Sequence, residues 1–150
     1  MRRRILALFT AVTVALGIMV SGGGAVYAAE AQVPESSDQE ITTGWVNDNG
    51  KTYYADDTGA YVTGWQDIDG SRYYFGKKTS VMYTGFHKIS GSKYYFGKTT
   101  GKMYTGFTKI SGRKYYFGKT SGKMYTGMHK IKKNVYTFDE DGVLVRTVYG

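Results

Sequence analysis

The stretch "KYYFGKTTGKMYTGF" at residues 93–107 returns as "KYYFGKTSGKMYTGM" at residues 114–128, with two letters changed and an offset of 21 residues. Working outward from it, glycine is followed by a large apolar side chain at Gly44-Trp45, Gly64-Trp65, Gly85-Phe86, Gly106-Phe107 and Gly127-Met128, at spacings of 20, 21, 21 and 21. Self-similarity at a fixed short period marks a repeat array rather than one globular core. Five units result, near 44–63, 64–84, 85–105, 106–126 and 127–150.

Each unit reads as a hairpin. A short run after the glycine ("WQDI", "FHKI", "FTKI") meets a two-residue turn ("DG", "SG", "SG") and then a second run ("RYYF", "KYYF", "KYYF"). Glycine accepts the positive φ that a tight primed turn requires. A single hairpin of this size cannot bury an apolar face alone, so stability has to come from stacking on its neighbours. The fold expected is therefore all-β, a β-solenoid of about five stacked hairpin repeats. Strand alternation places Tyr94, Phe96 and Ile89 toward the core, with Lys93 and Tyr95 outward or in the groove between hairpins. The last unit departs from the pattern: its turn is Lys132-Lys133, and Val135 and Thr137 replace Lys and Tyr, as befits a cap.

The composition agrees. There are 21 Gly and 15 Tyr against one Pro and no Cys, so no disulfide framework or thiol chemistry is present. Arg2, Arg3 and Arg4 precede an uncharged apolar run over residues 5–20 and then "SGGGAVYAA", the order of a secretory signal peptide, here residues 1–28. An uncleaved anchor is the competing reading, but three successive glycines interrupt the span and no later segment is apolar enough to cross a bilayer. Residues 29–41 read as an acidic linker and 42–150 as the repeat array. The mature protein is expected outside the cell, associated with the cell wall.

"TGWQDIDGSRYYFGKKTSVMYTGF" (63–86) and its copies resemble the cell-wall-binding, or choline-binding-type, repeats of Gram-positive surface proteins. That family includes glucan-binding repeats of streptococcal glucosyltransferases and the repetitive receptor-binding region of large clostridial toxins. The resemblance covers about 42–150 and implies a hairpin solenoid with ligand sites in the grooves between repeats. In the choline-binding branch the second strand reads "WYY", and its Trp helps cage a quaternary ammonium by cation–π attraction. Here that position holds Thr52, Arg72, Lys93, Lys114 and Val135. A fixed cation in the cage wall repels choline. "KYYF" is closer to the glucan-binding and toxin-type branches, which implies a carbohydrate ligand.

A sugar groove needs a flat aromatic platform and hydroxyl-reading side chains. Trp45, Trp65, Phe86 and Phe107 are the candidate platforms, and Tyr54, Tyr74, Tyr95 and Tyr116 bring a phenol beside each ring. The alternative is that these aromatics simply form the core. Charge is the second clue: residues 30–69 hold nine acidic residues and one basic, whereas residues 70–138 hold fifteen Lys or Arg and no acid. Lys98, Lys102, Lys119 and Lys123 recur with the repeat and are the candidate polyanion contacts, for which teichoic acid is the partner considered. A solvated surface that keeps a tyrosine-rich chain soluble is the bland alternative. Export makes nucleic acid an improbable target despite the charge.

No catalytic function is expected. His87 and His129 stand two repeats apart, no paired carboxylates occur in the basic region, and no ligand cluster suggests a metal or cofactor. Two other functions compete with envelope-carbohydrate binding: a structural or adhesive surface protein, and a choline-type anchoring fragment of a larger cell-wall enzyme.

Overall fold

The computed structural model describes residues 41–150; the expected signal sequence and all but the last residue of the linker lie outside the described residues. Eleven strands of five residues each follow in chain order. Five antiparallel hairpins pair β1 (Gly44–Asp48) with β2 (Lys51–Ala55), β3 (Gly64–Ile68) with β4 (Ser71–Phe75), and β5 (Gly85–Ile89) with β6 (Ser92–Phe96). They continue with β7 (Gly106–Ile110) and β8 (Arg113–Phe117), then β9 (Gly127–Ile131) and β10 (Asn134–Phe138). The first four turns place both central residues at positive φ, as at Ser111 (46°) and Gly112 (81°), the signature of a type I′ turn. In the fifth turn Lys132 itself takes a positive φ of 54°, a region that disfavours a side chain.

The hairpins form separate sheets, so what joins them lies elsewhere. After each second strand the chain returns and bridges back, at Phe75–Met82, Phe96–Met103 and Phe117–Met124. The same methionine then reaches the preceding hairpin: Met82 N donates to Thr52 O, Met103 N to Arg72 O and Met124 N to Lys93 O, each at 2.8 Å. These bonds stitch the second, third and fourth repeats each onto the one before it.

Phe75, Phe96 and Phe117 are fully enclosed, with Ile68, Ile89 and Ile110 buried at the ends of the first strands. The alternation expected for "KYYF" holds for Tyr94, Phe96 and Lys93, and of the two places expected for Tyr95 it takes the one between hairpins, where it is only 6% exposed. Its ring meets Phe86 on its own hairpin (4.8 Å), Tyr104 on the return segment (5.2 Å) and Phe117 on the next hairpin (6.3 Å). Both faces of the strand are therefore covered, one by the return segment. Tyr74 and Tyr116 are buried in the same way.

The final unit adds a strand absent from the sequence reading. β11 (Leu144–Val148) pairs with β10, and Leu144 meets Phe138 as Met124 meets Phe117. The last return segment thus continues as a third strand, covering the exposed edge of β10.

Each methionine also lies on a glycine one repeat onward: Met82 on Gly101, Met103 on Gly122 and Met124 on Gly142. A Cβ at Gly122 would run into Met103 Sδ, and its φ is +67°. By contrast, Gly112 has a positive φ but open space around it. Gly122→Ala is expected to destabilise by roughly 2–5 kcal/mol, left-handed strain plus overpacking, and Gly112→Ala by about 1–2 kcal/mol from strain alone. Denaturant unfolding of the two variants checks the difference.

Candidate functional site

In the first four units the residue after the opening glycine points its ring between two hairpins. Trp45, Trp65, Phe86 and Phe107 remain 36–42% exposed although each touches several other rings. The register sets one neighbour, since Trp45 pairs with Tyr54, Trp65 with Tyr74, Phe86 with Tyr95 and Phe107 with Tyr116. Their centroids are 4.7–5.1 Å apart, edge to face. The next hairpin supplies the other: Trp45 meets Tyr73 (5.0 Å), Trp65 meets Tyr94 (5.0 Å), Phe86 meets Tyr115 (5.3 Å) and Phe107 meets Tyr136 (4.8 Å). Each ring is therefore held by its neighbours over part of its surface and reaches solvent over the rest.

The paired phenols differ in access. Tyr54 is partly exposed, whereas Tyr74, Tyr95 and Tyr116 are buried, so the last three support the platforms from beneath. Burial pushes the Tyr95 and Tyr116 phenols above their ordinary pKa, with neighbouring Tyr104 and Tyr125 adding to the effect. The return-segment tyrosines were not singled out from sequence, although "MYTG" recurs at Tyr83, Tyr104 and Tyr125. They pack on Tyr74, Tyr95 and Tyr116 at 4.9–5.2 Å.

Beside two of the platforms stands a cation of the protein itself. The Arg72 guanidinium lies 6.0 Å from the Trp65 centroid, and Lys114 Nζ lies 5.1 Å from that of Phe107. Arg72 is held by Asp67 through two 2.8 Å hydrogen bonds. These bonds keep the Asp67 carboxyl below its ordinary pKa and raise that of Arg72. Lys98, Lys102, Lys119 and Lys123 are all exposed on the return segments.

The histidines have a structural task. His87 stacks on Tyr83 (3.9 Å) and His129 on Tyr125 (4.1 Å), and their Nε2 atoms lie 2.9 Å from the Thr84 and Thr126 carbonyls. Gln66 makes the same bond to Thr63 O at 3.0 Å. The position thus satisfies a carbonyl, and an amide does it as well as an imidazole. Asp139 likewise caps a turn, accepting from Val143 N at 2.8 Å. Among the described residues no group of His, Asp or Glu is placed to hold a metal ion.

Comparison with known proteins bears on this geometry. The choline-binding repeat family matches over residues 42–84, 62–105 and 83–128, more than half of the chain. The chain belongs to that family. No curated protein sequence matches it. Choline-binding protein F of Streptococcus pneumoniae is 30% identical with a TM-score of 0.68, the match covering 73% of this chain and 36% of that one. The same protein solved in the presence of a tetrasaccharide-pentapeptide peptidoglycan analogue gives the same figures. The pneumococcal cell-wall endolysin from phage Cp-1, solved with choline, is 28% identical with a TM-score of 0.54, covering 74% of this chain and 33% of that one. The chain thus spans about a third of the length of these relatives.

The cation beside the ring bears on whether choline fits here. A quaternary ammonium at Phe107 has to displace Lys114 from the ring and sit beside its charge. Each effect opposes binding by about 1 kcal/mol, together more than a tenfold loss of affinity. Millimolar choline is accordingly expected to leave the melting temperature unchanged. The double variant Phe107→Trp/Lys114→Trp, which restores two aromatic walls, is expected to gain a choline-dependent rise, read by thermal unfolding.

Proposed function

We propose that this chain is an exported, non-catalytic module that attaches to envelope carbohydrate. The half-exposed rings of Trp45, Trp65, Phe86 and Phe107 act as platforms for the apolar faces of sugar rings. Tyr54 offers its phenol to hydroxyls, while Tyr74, Tyr95 and Tyr116 hold the platforms in place. Lys98, Lys102, Lys119 and Lys123 add a charge-dependent attraction to anionic wall polymers such as teichoic acid. The observation that carries this reading is the row of half-exposed rings, each packed on neighbouring tyrosines, with Arg72 over Trp65 and Lys114 over Phe107 where a bound cation would go. Flat apolar faces beside fixed donors suit a sugar, which presents C–H faces and hydroxyl acceptors but no positive charge.

Family membership supports envelope attachment in general, and the peptidoglycan analogue studied with choline-binding protein F supports a wall ligand. Choline itself is the second reading, favoured by the endolysin solved with choline.

Binding to purified Gram-positive cell walls, before and after stripping of teichoic acid, tests the proposal. Trp65→Ala is expected to weaken binding by about 1–3 kcal/mol with little dependence on salt, because ring stacking carries no net charge. Phe107→Leu serves as a second variant should Trp65→Ala lose its unfolding transition. Binding unchanged in both and abolished by moderate salt contradicts the platforms, since screening then removes all of it. Elution by choline favours the second reading.

A further inference from the structure

One register position distinguishes the hairpins. Three residues before the end of each "xYYF" strand, a side chain faces its partner directly across the two strands. In the first hairpin the pair is Asn47 and Thr52, joined by a 2.8 Å hydrogen bond. In the second it is Asp67 and Arg72, joined as an ion pair. In the third and fourth it is Lys88 with Lys93 and Lys109 with Lys114. The fifth returns to a mixed pair, Lys130 with Val135.

Like charges directly opposite on antiparallel strands destabilise the hairpin, so two lysine pairs in succession are unfavourable by themselves. Among the described residues no carboxylate lies within ion-pair distance of Lys88, Lys109 or Lys114. Lys93 has Asp141 at 3.8 Å, an exposed and long contact. Both pairs line a surface cleft. One, of about 500 Å³, adds Lys123 and His129 to Lys88 and Lys93, with Glu140 as the acid on its wall. The other, of about 440 Å³, is formed by Phe107, Thr108, Lys109 and Lys114 and contains no acid. In the second cleft the lysine pair therefore adjoins a half-exposed aromatic platform.

We propose that the Lys88–Lys93 and Lys109–Lys114 pairs are two oxyanion sites, one repeat apart, for the phosphate groups of an anionic glycan. At the second site the sugar ring takes the place of Lys114 on Phe107, and the displaced ammonium joins that of Lys109 in holding the phosphate. Two ammonium groups converge on one oxyanion, which relieves their repulsion and makes charge-assisted hydrogen bonds. Two such sites along one stack gain by multivalency on a polymer that carries phosphate in every unit. This assignment rests on the carbohydrate-binding reading for the ligand's sugar, but the lysine pairs are testable without it.

The test is thermal unfolding of the full chain in inorganic phosphate, in glucose 6-phosphate and in sodium chloride of matched ionic strength. Phosphate in about fivefold excess over its dissociation constant is expected to raise the melting temperature by roughly 4 °C or more above the chloride control, and glucose 6-phosphate to do so at lower concentration. Lys88→Asp/Lys109→Asp rebuilds the acid–base pairing of the second hairpin. It is expected to melt at or above wild type without phosphate and to lose the phosphate-dependent rise. Lys77→Asp/Lys78→Asp makes the same change of charge on another exposed segment and is expected to keep the rise. A wild-type response no larger than that of chloride, or one retained in Lys88→Asp/Lys109→Asp, overturns the assignment. Either result leaves wall binding through the aromatic platforms standing, whereas loss of that binding alone leaves the phosphate response intact.

Discussion

The structure depends on the aromatic ring that follows each repeat's opening glycine and wedges against the next hairpin. The hairpins share no strand pairing, so side-chain packing between neighbours, these rings foremost, and the methionine backbone bonds hold one to another. A two-stranded hairpin alone is marginal in water. Edge-to-face pairs such as Trp65 with Tyr94, centroids 5.0 Å apart, turn five marginal units into one stack. Bonds from Met82, Met103 and Met124 to the preceding hairpins then fix the offsets among the first four repeats.

Stacking and ligand access draw on the same rings. A ring buried on both sides would strengthen the stack but present nothing, and one free on both sides would join nothing. Each of the four platforms lies between these extremes, with its inner side on tyrosine and its outer side in water. At the fifth position Met128 is 73% exposed and no sixth hairpin follows among the described residues. There β11 pairs with the edge of β10.

Much of this was legible in the chain. The 21-residue period, the "SG" and "DG" turns and the glycine–aromatic pairs specify hairpins of five-residue strands, because a two-residue primed turn fixes the pairing of everything that follows it. The burial of Tyr95 was not legible because alternation counts two faces and assumes that only one is covered. The return segment, which has no regular period of its own, covers the other. β11 was missed for a related reason: "LVRTV" has strand composition, but the repeat offered no template for a strand at that place. The lysine pairs were visible as letters, yet their meaning requires the register, which puts Lys109 opposite Lys114 rather than beside it.

The most direct test of the central interaction is a double-mutant cycle on Trp65 and Tyr94, each replaced by leucine singly and together, with stability read by denaturant unfolding. The account predicts that the two losses fail to add, with a coupling of about 0.5–1.5 kcal/mol between hairpins that share no strand pairing. Losses that add to within about 0.3 kcal/mol would contradict it, because the rings would then stabilise their own hairpins without joining them.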